Sequence, residues 1–233
     1  MVNLIYNHSM KNQDPSQEQL QSVLNLYTHG KLQQALSESS QMLERFPNSV
    51  VLYNISGASN AALKRFDAAI DSYKQALRIK PDYAEVHNNM GSVMKDKGDL
   101  NEAIDSFKQA IQIKPDYAVA YNNMANAMKD KGDLEEAIES YKQALRIKPD
   151  YAEVHNNMGN ALSIKSDLAE AIESYKKALR IKPNFAGAYN NMANAMKNKG
   201  DLAEAIESCK QALKIKPDYA DAYYNMANAM KDK

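Results

Sequence analysis

Apolar residues recur along this chain at spacings of three, four and seven, broken at regular intervals by short polar turns. In residues 84–117, Val86, His87, Met90, Gly91 and Met94 mark one such face, and Leu100, Ala103, Ile104, Phe107, Ala110, Ile111 and Ile113 mark a second. That spacing is the one-sided pattern of an amphipathic helix, so the segment predicts two helices in succession. Between them runs Lys-Gly-Asp-Leu. Gly98 there is suited to a left-handed helix C-terminus, and Asp99 to capping the next helix, with Glu102 completing a capping-box pattern. The same pairing recurs as Asp133 with Glu136, Asp167 with Glu170, and Asp201 with Glu204. Pro115 closes the second helix, because the residue before a proline is pushed out of helical geometry.

This two-helix unit repeats. Pro47, Pro81, Pro115, Pro149, Pro183 and Pro217 stand 34 residues apart without a slip. A constant period of that length marks stacked repeats, in which each unit buries its apolar face only against its neighbours. Residues 72–91 recur letter for letter at 140–159, as duplication of a two-repeat block would leave them.

The recurring residues resemble the tetratricopeptide repeat (TPR) family: small residues at Gly91, Ala103 and Ala110, an aromatic at Phe107 and the closing Pro115, repeated over nearly the whole chain. The resemblance implies an all-α fold, a right-handed α-solenoid of helix-turn-helix units that binds other proteins. Six units can be laid out, at 16–49, 50–83, 84–117, 118–151, 152–185 and 186–219. Asp14-Pro15 reads as a helix start, which leaves 1–15 as a flexible arm. Residues 220–233 form a lone first helix of a seventh unit, read as a point where a longer array is cut. Its face of Tyr223, Met226, Ala227 and Met230 is then expected to be uncovered and open to self-association into a homo-oligomer.

Charge narrows the choice of partner. Lys plus Arg equals Asp plus Glu at 29 each, so no net field draws the chain to nucleic acid or anionic lipid. A single cysteine, Cys209, permits no internal disulfide and fits a reducing, cytoplasmic compartment. No apolar run reaches the roughly 18 residues of a membrane span, and the N-terminal residues do not form a signal peptide.

Chemistry for catalysis is missing from the pattern. There is no nucleophile with a base, no phosphate loop and no histidine pair at metal-ligand spacing, so neither enzyme activity nor a cofactor is expected. His87 and His155 share a repeat position with Tyr53, Tyr121 and Tyr189 and read as packing residues. Cys209 stands where other units have Phe107 and Tyr141, a small core substitution. The methionines, Met90, Met124, Met158 and Met192 among them, fall on the buried stripe.

The asparagines stand apart. They crowd the first helices although asparagine is a mediocre helix former, so something other than local propensity places them there. Asn89, Asn123, Asn157, Asn191 and Asn225 recur on the side away from the methionine stripe, with Asn126, Asn160, Asn194 and Asn228 nearby. An amide offers donor and acceptor together, so a row at repeat spacing suits the backbone of an extended peptide partner. The row resembles the asparagine ladder of the protein O-linked N-acetylglucosamine transferase superhelix, which implies a concave groove that grips polypeptides. It also implies a rival reading, that this is the substrate-recruiting region of a larger glycosyltransferase-like enzyme continuing past Lys233. A copied hydrogen bond between helices is the structural alternative. The carboxylate-clamp mode of the family is disfavoured, because Glu85, Val119, Glu153, Gly187 and Asp221 stand where basic residues are needed. Lys95, Lys129 and Lys197 line one edge with Asp96 and Asp130. In one unit Ser163-Ile164-Lys165-Ser166 replaces Lys-Asp-Lys-Gly: Ser166 forfeits the glycine cap, and Ile164 is a candidate side-chain pocket in the groove.

Overall fold

The repeated amphipathic pattern does fold as pairs of helices. The structure, a computed structural model, describes residues 14–233. The expected arm thus falls, but for Asp14 and Pro15, outside the described residues. Every regular element among the described residues is an α-helix, and the chain is an all-α solenoid of stacked helix pairs. Two compact units divide it. The first ends at Pro115 and contains α1 (Gln17–Thr28), α2 (Leu32–Arg45), α3 (Val50–Ala62), α4 (Phe66–Ile79), α5 (Ala84–Lys97) and α6 (Leu100–Ile113). The second begins at Asp116 and contains α7 (Ala118–Lys131), α8 (Leu134–Ile147), α9 (Ala152–Ile164), α10 (Leu168–Ile181), α11 (Ala186–Lys199), α12 (Leu202–Ile215) and α13 (Ala220–Asp232). Odd-numbered helices are the first of each pair.

Within each unit a first helix packs on its own second helix, and that second helix packs on the next first helix. Within each unit consecutive first helices also touch one another, as α7 and α9 do, whereas among the described residues consecutive second helices of the same unit do not. Each unit therefore bends with its first helices on the inner side.

Aromatic rings fill the seam inside four of the pairs, from α3–α4 to α9–α10. Phe107 and Tyr141 are fully buried, Tyr175 is 1% exposed and Tyr73 2%. Room for them comes from small residues on the facing helix: a Cβ at Gly159 would stand 2.6 Å from the Tyr175 ring. Ala103, Ala137, Ala171 and Ala205 are likewise fully buried where helices cross. Met90, Met124, Met158 and Met192 lie in the core, and Cys209 is fully buried at the aromatic position.

The turns follow expectation at the glycines and depart from it at the aspartates. Gly98, Gly132 and Gly200 close α5, α7 and α11 with φ of 99°, 100° and 95°, the left-handed geometry a glycine adopts without a Cβ clash. Asp99, Asp133, Asp167 and Asp201 make no side-chain cap bond, so the expected capping boxes with Glu102, Glu136, Glu170 and Glu204 do not form. With ψ of 60–69° these residues lie outside the extended conformation that aims a carboxylate at the helix end. Their carboxylates turn instead to Lys97, Lys131, Lys165 and Lys199, at 3.3, 2.8, 3.1 and 2.7 Å. A capping box does form at the start of α1, where Ser16 and Gln19 exchange bonds, so the helix begins at Gln17 with Pro15 outside it.

Ser166 adopts φ of 70° where Gly98, Gly132 and Gly200 stand in other repeats, as Lys64 does with φ of 58°. Ser166→Gly is expected to raise unfolding stability by about 1 kcal/mol, since the Cβ clash of the left-handed region is removed. Urea unfolding reads it as a rise in midpoint at constant slope. An unmoved midpoint would mean that the serine is not strained.

Candidate functional site

The inner side of each unit is lined by asparagines that bond from one repeat to the next. In the first unit, Asn89 Nδ2 on α5 donates to Asn54 Oδ1 on α3 at 3.3 Å. In the second, Asn157 on α9 donates to Asn122 on α7 at 3.2 Å, Asn191 on α11 to Asn156 on α9 at 3.1 Å, and Asn225 on α13 to Asn190 on α11 at 2.9 Å. The acceptors are themselves placed by the row: Asn122 donates to Asn123 at 3.3 Å, and Asn156 to Asn157 at 3.5 Å. The amides thus form a relay along the first helices, and this explains why a mediocre helix former is retained there.

Two classes of asparagine share that relay. Asn88, Asn122, Asn156 and Asn190 are buried, at 5 to 8% exposure. Asn89, Asn123, Asn157, Asn191 and Asn225 are half-buried. Each amide carries two N–H donors, so the Asn157, Asn191 and Asn225 side chains, which give one N–H to the scaffold, keep a second.

The remaining asparagines of the expected site meet tyrosines. The Tyr141 hydroxyl donates to Asn126 Oδ1 at 2.6 Å, and that of Tyr175 to Asn160 Oδ1 at 2.8 Å. Burial pushes these phenols above their ordinary range, so they act as neutral donors. Asn126 and Asn160 keep their NH2 groups for other partners. Asn194 occupies the same position opposite Cys209, which offers no hydroxyl, and Asn228 lies half-buried on α13. These tyrosine–asparagine pairs were not read from the sequence, although their constant separation of 15 residues was there to be found.

Around the amides the surface is mixed in charge. Lys95 pairs with Asp96 at 3.1 Å and Lys129 with Asp130 at 2.6 Å. Ile164, at the end of α9, is 61% exposed and follows Asn157 and Asn160 along the same helix face. In the first unit a cavity of about 350 Å³ opens among Tyr27, Ala58, Ala61, Ala62, Tyr73, Asn89, Ser92, Val93 and Asp96.

On the other side of the second unit, α8, α9 and α10 border a larger cavity of about 630 Å³. Its floor is Ile138, Leu145, Met158 and Leu162, with Lys142, Arg146 and Lys177 at the rim. Leu162 stands where Met94, Met128 and Met196 accept the Ser106, Ser140 and Ser208 hydroxyls, at 3.4, 3.6 and 3.5 Å. His155 Nε2 lies 3.1 Å from the Pro149 carbonyl and His87 Nε2 2.9 Å from that of Pro81, so both rings act as packing and turn-fastening groups. Burial holds the His155 imidazole neutral, below its ordinary range. No cluster of three or more metal-ligating side chains occurs among the described residues.

The face of α13 is uncovered. Tyr223 is 51% and Met230 53% exposed, with Ala227 exposed and Met226 half-buried. At the equivalent positions of α11, covered by α12, Met192, Ala193 and Met196 are 6, 1 and 8% exposed.

Known proteins place this arrangement in context. A family model described as TPR repeat matches residues 60–98, 91–132, 126–163, 159–200 and 197–233. Over 74 residues the chain is 36% identical to the probable UDP-N-acetylglucosamine–peptide N-acetylglucosaminyltransferase SEC of Arabidopsis thaliana, which covers 32% of this chain and 8% of that protein. Among solved structures it resembles MamA, with TM-score 0.64 and 29% identity over 70% of this chain and 96% of the other. It also shares its fold with the type IV pilus biogenesis factor PilW, with TM-score 0.81 and 21% identity over 90% and 99% of the two chains. The fold recurs in YrrB, described as a TPR protein with an unusual peptide-binding site, with TM-score 0.63 and 19% identity over 80% and 96%. No helix among the described residues is long and apolar enough to cross a membrane.

Proposed function

The chain belongs to the TPR repeat family, and on that premise we propose that it is a non-enzymatic scaffold whose inner, asparagine-lined face holds an extended segment of a partner protein. The observation that carries this reading is the half-buried row itself. Asn157, Asn191 and Asn225 each spend one N–H on the preceding repeat and retain another on the inner face. The scaffold bond fixes the amide's orientation before a guest arrives, which lowers the ordering cost of binding. Backbone carbonyls spaced along an extended peptide are suitable acceptors, and recognition of backbone tolerates many guest sequences. Asn126 and Asn160 add NH2 donors, their oxygens being held by Tyr141 and Tyr175. Ile164 offers an apolar contact beside them. Ordering a flexible guest opposes association, so an affinity of about micromolar is expected.

The test is a comparison of wild type with an Asn123→Ala, Asn157→Ala, Asn191→Ala variant, using 12-residue peptides selected from a random display library. At about 0.5–1.5 kcal/mol per lost hydrogen bond, the triple variant should bind roughly 10-fold to 1,000-fold more weakly. Equal affinities for the two proteins, with helicity intact by circular dichroism, would remove the amide row from the site.

The stretch of identity with the SEC glycosyltransferase favours a second reading, in which the same face recruits substrate polypeptides for an enzyme of which this chain is the repeat region. Both readings use the same asparagines. The uncovered face of Tyr223, Met226, Ala227 and Met230 is the surface by which self-association would proceed.

A further inference from the structure

We propose that the cavity over Tyr73 is a recognition subsite for a carboxamide side chain, Asn or Gln, of the guest peptide; the inference rests on the inner-face reading above and adds sequence preference to it.

The argument starts from a missing partner. Tyr141 and Tyr175 each donate their hydroxyl to an asparagine 15 residues earlier, Asn126 and Asn160, at 2.6 and 2.8 Å. Phe107 has no hydroxyl, and Ser92 stands in its asparagine position. Tyr73 breaks the correspondence: it carries the hydroxyl, but Ala58 stands where the amide belongs. The ring is 2% exposed, and it is pinned against Gly57, where a Cβ would lie 2.5 Å from it. It therefore cannot swing out to seek another acceptor. Its hydroxyl makes no hydrogen bond to another described residue, and the ring borders the 350 Å³ cavity, where Ala58 leaves space that an asparagine would occupy and Tyr27 lines another wall. A donor already fixed in place costs no further ordering when a guest supplies the acceptor, so pairing there favours a guest that can accept.

The cavity's other groups select the chemistry. Ala58, Ala61 and Ala62 give small apolar walls, while Asn89, Ser92 and Asp96 supply polar groups around them. The ligand must accept from Tyr73 and donate to acceptors such as the Asp96 carboxylate. A carboxamide does both in one planar group, and its oxygen is the acceptor that Asn126 and Asn160 give to their own tyrosines. A carboxylate guest would accept from Tyr73 but has nothing to donate and would meet Asp96, and an aliphatic guest leaves the hydroxyl bare. Specificity built on such pairing comes from the buried polar group that the wrong ligand leaves unpaired.

The test uses the full chain and the peptides selected above. Selected peptides should share an Asn or Gln at one position. Its replacement by Leu, close in size, should weaken binding to wild type by about 10-fold, measured by fluorescence polarisation. Ala58→Asn fills the cavity and supplies Tyr73 with its own acceptor, and Tyr73→Phe removes the donor; in both the Leu penalty should shrink to below about 2-fold. Thermal melts no lower than wild type for Ala58→Asn establish that this variant is folded. Peptides that bind, and that lose affinity to the triple asparagine variant, yet show no carboxamide preference, would overturn the subsite while leaving the inner-face reading in place. A preference that survives Ala58→Asn would overturn it as well. Absence of any peptide binding would remove both.

Discussion

Tyr175→Ala is expected to lower the unfolding free energy by about 3–5 kcal/mol, the range for truncating a fully buried aromatic side chain. The ring is 1% exposed and fits against Gly159, where a Cβ would stand 2.6 Å from it. Its removal creates a cavity in the seam between α9 and α10 and leaves Asn160 Oδ1 without the hydroxyl that donates to it. Tyr175→Phe separates the two effects: the packing remains, the hydrogen bond is lost, and a cost of about 1 kcal/mol is expected. Urea unfolding measures both. A loss below about 1 kcal/mol for the alanine variant would show that neighbouring side chains close the cavity freely. In a repeat stack each pair is supported only by its neighbours, so amide exchange should rise first in α9 and α10. Cys209 gives a natural reference, because the α11–α12 seam already holds a smaller side chain at the same position.

The second large effect belongs to the amide relay. Asn156→Ala should destabilise the chain by about 1–3 kcal/mol, although an alanine is the better helix former. Asn156 is 7% exposed, accepts from Asn191 at 3.1 Å and donates to Asn157 at 3.5 Å. Truncation leaves the Asn191 N–H without its acceptor and frees the orientation of Asn157. A double-mutant cycle with Asn191→Ala isolates the bond between repeats, with a coupling of about 0.5–1.5 kcal/mol expected. A coupling near zero would mean that the two amides are held by their helices and not by each other. The groove side of the same cycle is readable with a bound peptide, since Asn191 is expected to lose affinity and Asn156 to act through it.

Much of this architecture was legible because it repeats. The 34-residue spacing, the small residues facing aromatics and the glycines at helix ends are local or periodic signals, and each had a physical reason to recur. Less legible was anything that depends on which way a short polar side chain turns. Asp99 and its equivalents carry the capping-box letters, yet the backbone at ψ near 60–69° sends their carboxylates to lysines. The asparagine row was visible, and both its readings were open, because spacing alone does not tell an amide facing a groove from one facing its neighbour. The geometry bonds Asn89, Asn157, Asn191 and Asn225 to the preceding repeat of their own unit while leaving them only half-buried. Tyr73 was invisible as a special position, since only the bonds at Tyr141 and Tyr175 reveal what Ala58 lacks.

The relay also has a mechanical side. Its links run along the inner edge of a bent stack, where consecutive first helices touch, at 2.9 to 3.3 Å between repeats. A pull that straightens either unit lengthens the inner edge first, and three of the four links, at 3.1, 3.2 and 3.3 Å, already lie at the upper end of hydrogen-bond length. They act as the tension cords of a spring, and on the proposed reading a guest strand laid across them would share their load, so that occupancy and stiffness would rise together.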